Sequence, residues 1–421
     1  MISLIEALNY RCLKYVRQEL GPFHVLVGPN ASGKTTFLDV IAFLGRLVSD
    51  GLDAAISERT RDDFRDLLFC GRGDSFELAI EATIPDDRKG KLKKDFKSIR
   101  YELKIGQDAE THENEVLAEK AWLLPSRMKN PIQQFDLFPR SMPGPQSILH
   151  GKAISGGQSV LSKTHKGNDN FYMEMRERSK KGWFPSIRLG PKKSALGNLP
   201  DDESLFPAST WLREMLITGV QQFVLNSNLM RQASPPILRR ALKTDGSNLP
   251  WIIYRLEQAE NRDLLNRWID HVRTALPDLE TIRTVESPDT KHRHLILRYQ
   301  GGLEVPSWTA SDGTLRLLAM TILAYLPDFK GICLIEEPEN GIHPCAVETV
   351  FQSLSSIYDA QILLATHSPV ILSMADLDKI LCFKKNAESA TDMVRGDAHP
   401  ALKDWKGEVS LGVLFAGGVL G

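Results

Sequence analysis

Eight consecutive residues, Gly28-Pro29-Asn30-Ala31-Ser32-Gly33-Lys34-Thr35, constrain this chain more than any others. They fit G-x-x-x-x-G-K-[ST] without a mismatch. Before them runs the short apolar stretch Phe23-His24-Val25-Leu26-Val27, the pattern of a buried strand. After them Phe37, Leu38, Ile41, Leu44 and Val48 recur at helical spacing. A glycine-rich turn between strand and helix lets backbone N–H groups point inward around phosphate oxygens, at the positive end of a helix dipole. Residues 28–36, ending in Thr36, are therefore expected to cradle a nucleoside triphosphate. Lys34 would neutralise its β- and γ-phosphates, and the Thr35 hydroxyl would ligate Mg²⁺.

The far end of the chain supplies further strands. Residues 331–335, 361–365 and 379–383 are short apolar runs, and residues 313–324 and 346–358 between them have helical periodicity. Strands alternating with helices predict an α/β fold with a mainly parallel sheet, assembled from both ends of the chain. The run 332–335 ends in Glu336-Glu337-Pro338-Glu339-Asn340. Beside a phosphate loop, that is where a Mg²⁺ water shell needs an anion, so Glu336 is expected at the metal and Glu337 as general base. Another apolar run closes in Ala365-Thr366-His367-Ser368-Pro369, where His367 suits a sensor of the γ-phosphate. Ala310-Ser311-Asp312-Gly313-Thr314 opens the helix before the acidic strand, and Ser311 with Gly313 forms a second anion site that would serve a neighbouring subunit.

The middle of the chain differs in charge. Residues 88–193 hold 22 Lys and Arg against 11 Asp and Glu, leaving 30 against 42 for the rest, although the whole chain is near neutral at −1. Lys89, Lys91, Lys93, Lys94 and Lys97 form one basic cluster. Arg176, Arg178, Lys180, Lys181, Arg188, Lys192 and Lys193 form another, interleaved with Phe171, Tyr172, Trp183 and Phe184. Such a segment suits phosphate-backbone contact with DNA, a solvated face, an acidic partner, or contact between identical chains. Within it, residues 100–105 and 115–124 read as strands of a small antiparallel layer, and residues 125–200 as loops or a mobile insertion. Helical spacing returns over 204–276. Residues 1–28 read as two short strands, and the apolar tail 409–421 as a last strand or helix, or as a docking segment. Five scattered cysteines without a C-x-x-C pair, and no apolar run of spanning length, point to a cytoplasmic chain with no membrane partner.

Taken in order, GPNASGKT, SDGTLRLLA, LIEEPENGIHP and ATHSP resemble the ABC-type ATPase group that includes SMC-like, RecF-like and OLD-family proteins. The nearest set is the ATPases of bacterial phage-defence and DNA-repair loci. Residues 245–249, DGSNL, are similar to that subgroup's lid. The resemblance implies a P-loop ABC-type head from residues 1–87 and 280–421, a basic β- and loop-rich insertion over 88–203, and a helical lid over 204–279. It also implies an ATP-dependent homo-oligomer in which one subunit's phosphate loop faces Ser311 and Gly313 of the other, with Asn340, Gly341 and His343 crossing the interface. Arg11 stands where relatives place a basic nucleotide contact, or is a solvated arginine. Four departures bear on hydrolysis rate rather than ATP binding: Ala310 for a leucine, Ala31 for a glycine, Glu336 for an aspartate, and no glutamine near residues 60–85 to sense Mg²⁺. The 54 residues after His367 are too few for the nuclease domain of full-length OLD-type proteins, so a separate effector or nuclease subunit is expected. The function so implied is a slow ATPase regulating that effector in antiphage defence. The alternatives are a RecF- or SMC-like repair ATPase and a scaffold that binds ATP without hydrolysing it. A transporter's nucleotide subunit would keep the phosphate loop and acidic strand closer than the 302 residues between Lys34 and Glu336.

Overall fold

The computed structural model describes every residue except 62, 109, 126–136, 142, 152–153, 176–185, 237–240, 404, 406–408 and 421. The chain divides into two units. The first comprises Met1–Val220, Leu377–Lys406 and Leu420–Gly421, and the second Gln221–Asp376 and Gly407–Val419.

In the first unit seven strands form one antiparallel sheet. Their order is Leu13–Glu19, Ile2–Tyr10, Ser75–Thr83, Ser98–Gln107, Asn114–Leu124, Gln158–Thr164 and Asp169–Phe171. Side chains alternate across a strand, so Ile99, Tyr101, Leu103 and Ile105 share one apolar face while Arg100, Glu102 and Lys104 share the other. Arg100 on that second face is buried, and its guanidinium reaches Glu6 at 2.7 Å, Glu102 at 2.6 Å and the Ile148 carbonyl at 3.1 Å. Pairing of this kind is what allows a charge to stay out of water. Tyr10, Phe43 and Phe76 pack with ring centroids 4.9–5.9 Å apart, which joins the helix Lys34–Asp50 to the sheet. The same helix lies close to Pro207–Thr218, because a Cβ on Gly45 would stand 2.7 Å from the Leu216 carbonyl. Phe23–Val27, buried at all five positions, pairs in parallel with Ile380–Lys385, on which Thr391–Arg395 lies antiparallel.

The second unit places the strands Gly331–Glu336 and Ala360–Ala365 side by side in parallel, with Val220–Phe223 as the next neighbour of the first. Helices Asp312–Thr321 and Pro344–Ser355 follow the expected periodicity. Helices Leu249–Glu257 and Arg262–Arg273 come from the stretch with returning helical spacing. Trp268 is fully buried and its indole N–H donates to Thr321 Oγ1 at 2.9 Å. A separate antiparallel sheet of Leu279–Glu286, Arg293–Tyr299 and Glu304–Pro306 completes the unit.

The fold is the expected mixture of parallel and antiparallel α/β structure, with three local corrections and a tail that follows one of its expected readings. Residues 1–28 hold three strands, because Leu13–Glu19 turns back on Ile2–Tyr10 across Arg11, whose φ is 50°. The antiparallel layer is large rather than small. Residues 125–200 contribute two of its strands, Gln158–Thr164 and Asp169–Phe171, besides loops. The tail carries a helix, Leu411–Ala416, so close to Pro369–Met374 that a Cβ on Gly412 would stand 2.2 Å from the Pro369 carbonyl.

Candidate nucleotide site

The phosphate loop of the first unit is held by backbone geometry. Gly28 and Gly33 have φ of 150° and 108°, and Ala31 takes 60°, so the loop turns through conformations that favour glycine. A Cβ at Gly28 would stand 2.3 Å from the Phe383 carbonyl, and one at Gly33 would stand 2.3 Å from Thr391 Oγ1. The Thr391 hydroxyl donates to the Ser32 carbonyl at 2.8 Å. Lys34 opens the helix Lys34–Asp50, is 7% exposed, and curls over the loop to donate to the Gly28 and Pro29 carbonyls at 2.8 and 3.0 Å. An oxyanion would replace those neutral acceptors with charged ones. Ser32 Oγ is buried beside Gly28 and has no hydrogen-bond partner among the described residues. Such an orphaned hydroxyl fits a loop whose ligand carries acceptor oxygens. Asn30, Thr35 and Thr36 occupy the expected positions around the loop and the first turn.

Arg11 and Arg59 converge on Asp39, one turn further along this helix. Arg59 Nε donates to Asp39 Oδ1 at 2.8 Å, Arg11 Nη1 lies 3.5 Å from Oδ2, and the Tyr10 hydroxyl donates to Oδ2 at 2.6 Å. Arg11 is thus tethered to a carboxylate rather than merely solvated.

The second unit brings its own expected residues together. Register pairs Glu336 with Ala365, so Glu336-Glu337 and Thr366-His367 leave the sheet next to each other. The Glu337 amide donates to the Ala365 carbonyl at 2.8 Å, and Glu337 holds φ at 47°. Asn340 closes on Glu337 twice: its side-chain amide donates to Glu337 Oε2, and its backbone N–H donates to the Glu337 carbonyl at 3.0 Å. Gly313, at the start of Asp312–Thr321, abuts the same loop, since its Cβ would stand 2.6 Å from the Gly341 carbonyl. Ser311 caps that helix by accepting from the Thr314 amide at 3.1 Å. Arg231 steadies the cap through an ion pair with Asp312 and a bond to the Ala310 carbonyl at 3.2 Å.

Two functional candidates escaped the sequence reading. Glu339 Oε1 accepts from the Thr366 hydroxyl at 2.7 Å and from the His367 amide at 2.8 Å, so it fixes the turn that carries the imidazole. Its Oε2 is buried without a partner among the described residues. Gln222 Nε2 lies 3.4 Å from Glu336 Oε1, which gives the acidic strand end a glutamine that residues 60–85 do not supply. Glu339 was visible as the third acid of EEPE, whereas nothing in VQQF distinguishes Gln222. Thr35 in the first unit and Glu336 in the second each carry the hard oxygen donor that Mg²⁺ prefers.

Part of the basic segment is already paired. Lys89 and Lys97 reach Asp86 and Asp95 at 2.7 Å, and Lys91 lies 3.7 Å from Glu203. Lys192 lies 3.6 Å from Asp53. Arg176, Arg178, Lys180, Lys181, Trp183 and Phe184 fall outside the described residues. Asp108, Glu115 and His165 gather at the hairpin tips of the antiparallel sheet, where Lys166 Nζ already lies 3.0 Å from Asp108. Among the described residues, no helix is long and apolar enough to cross a membrane.

Comparison with known proteins agrees with this layout. The chain is 23% identical to the OLD nuclease of Thermus scotoductus (strain ATCC 700910 / SA-01), over 99% of its own length and 68% of the relative's. Its fold matches the head of an Smc protein crystallised with the C-winged helix domain of ScpA, with a TM-score of 0.54 at 14% identity over 93% of this chain and 96% of that one. It also matches an Smc head with an extended coiled coil bound to the C-terminal domain of ScpA derived from Pyrococcus furiosus. There the TM-score is 0.50 at 13% identity, over 93% and 95% of the two chains. Residues 23–373 match the family described as "AAA domain, putative AbiEii toxin, Type IV TA system". The chain belongs to that family, with the fold of an Smc head and sequence similarity to an OLD nuclease.

Proposed function

We propose that this chain binds and slowly hydrolyses ATP, assembles through ATP held between two copies, and thereby regulates a separate effector in bacterial antiphage defence. The observation that carries the reading is that one chain holds a glycine-shaped phosphate loop with a buried Lys34 and an acidic strand end beside His367. In this reading Lys34 and the backbone N–H groups of residues 30–36 grip the β- and γ-phosphates, and Thr35 with Glu336 hold Mg²⁺. The metal, when bound, neutralises phosphate charge. Glu337 accepts the proton of the attacking water, and Asn340 keeps its carboxylate aimed. Glu339 orients His367 toward the terminal phosphate. Gln222 steadies Glu336. Ser311 and Gly313 complete the site of the second copy. Similarity to an OLD nuclease supports a nuclease as the effector, and the exposed Lys93, Lys94, Arg188 and Lys193 support DNA as a ligand.

The test is Glu337→Gln, which keeps the shape of the side chain and removes its basicity. It is expected to bind ATP normally, lose turnover by about 10²–10⁴-fold, and accumulate as an ATP-bound oligomer in light scattering. Unchanged turnover would remove Glu337 from catalysis and favour the scaffold. Retention on DNA that is insensitive to salt would remove the basic segment from the reading.

A further inference from the structure

The strand Thr391–Arg395 carries contacts in two directions that the nucleotide reading leaves unused. Toward the phosphate loop, Thr391 Oγ1 donates to the Ser32 carbonyl at 2.8 Å and fills the space where a Cβ on Gly33 would stand. Its backbone N–H donates to the Cys12 carbonyl at 2.9 Å, which ties the loop to the turn holding Arg11. Toward the basic insertion, the adjacent Asp392 receives residue Arg140 three times. The Arg140 backbone N–H and Nε reach Asp392 Oδ2 at 2.7 and 3.0 Å, and Nη2 reaches Oδ1 at 2.8 Å. Nη2 also donates to the Met393 carbonyl at 3.2 Å, and the Arg140 carbonyl accepts from Asn386 Nδ2 at 3.1 Å. Phe138 packs edge-on against His399, with ring centroids 5.1 Å apart. Residues 137–141 are therefore locked to this strand by side chain and main chain together. A bidentate guanidinium–carboxylate pair is both strong and directional.

We infer that Thr391, Asp392 and Arg140 form a positioning relay that couples the docking of the basic insertion to the shape of the phosphate loop. The relay works through geometry. Thr391 and Asp392 are successive residues on an extended strand, so their side chains project to opposite faces. One face presses on the loop glycine while the other takes the arginine. If Arg140 leaves Asp392, the strand loses its anchor on the insertion side, and the hydroxyl that shapes residues 32–33 loses its fixed position. Coupling is reciprocal, so a filled phosphate loop holds residues 137–141 more firmly in turn. The inference rests on the loop binding ATP.

The test compares Thr391→Val, which keeps the shape but deletes the donor, with Thr391→Ser, which keeps the donor. Affinity for a non-hydrolysable ATP analogue with Mg²⁺ is expected to fall about tenfold in Thr391→Val. It should remain within about twofold of the parent in Thr391→Ser. Arg140→Ala should weaken affinity several-fold, and the double variant should be no weaker than Thr391→Val alone, because the two act in series. Hydrogen exchange over residues 137–141 should slow when the analogue is added to the unmodified chain. Should Thr391→Val fail to fold, Arg140→Ala and the exchange measurement decide alone. Parent-like affinity in both single variants, full additivity in the double, or exchange unaffected by the analogue each overturns the relay. A parent chain that binds no ATP overturns the nucleotide reading itself, so the two failures are distinguishable.

Discussion

The phosphate loop and the acidic strand end serve one proposed chemistry but are held in place by different means. The loop is shaped by what its residues lack: neither Gly28 nor Gly33 has room for a Cβ, and the backbone angles there exclude most side chains. The acidic end is shaped by what its residues carry, a set of side-chain bonds among Glu337, Glu339, Asn340, Thr366 and His367. A backbone-built site is rigid and intolerant. A side-chain-built site can be retuned one group at a time. Lesions in the loop should therefore damage binding, and lesions in the acidic end should damage turnover while leaving binding intact.

The sharpest way to break that contrast is Lys34→Ala. Losing charge-assisted contacts worth roughly 3 kcal/mol should weaken ATP binding about a hundredfold or more, read by calorimetry. Normal affinity would mean that the loop amides alone hold the nucleotide. Next in size is Glu339→Ala, which frees the turn before His367. It should lower turnover about tenfold without changing ATP affinity, since misplacing a catalytic group costs rate rather than binding. Loss of affinity instead would show that the acidic end also grips the nucleotide.

The remaining expected effect is a pH dependence of the first unit's stability. Burial pushes His24 in the first unit down to about 4. Its Nε2 already accepts from the Gly21 amide at 2.7 Å, and its Nδ1 lies 3.1 Å from the Lys379 carbonyl, so the folded ring stays neutral. Burial likewise lowers His399 to about 4. An unfolded histidine takes a proton near 6.5, so below that pH the unfolded chain binds more protons than the folded one. Stability from His24 is whole above about pH 6.5 and declines as pH falls toward 4, by on the order of 2–3 kcal/mol. Denaturant melts at pH 7 and pH 5 should show the decline, and His24→Gln should remove its share while leaving that of His399.

The legible parts of this molecule were those whose physics is local. The phosphate loop needs only a strand, two glycines, a lysine and a helix start, all within residues 23–48. The acidic strand end and His367 were legible because each closes a short apolar run. Leu13–Glu19 was not, since LKYVRQE buries only two of its seven residues and carries no continuous apolar signal. Thr391 and Gln222 were illegible for another reason. Each is an ordinary residue made important by a neighbour more than 100 positions away, at Ser32 and Glu336. Spacing along a chain cannot reveal a partner that only folding supplies.

Glu337 illustrates what such a site takes from the molecule that carries it. A side chain larger than glycine in a left-handed conformation forgoes about 1 kcal/mol of folding free energy, and the Ala365 carbonyl and Asn340 keep it there. Glycine at this position would relax the turn and yield a sturdier protein without the carboxylate that the proposed hydrolysis needs. Under the proposed function, selection for thermal resilience and selection for turnover would pull on this single residue in opposite directions.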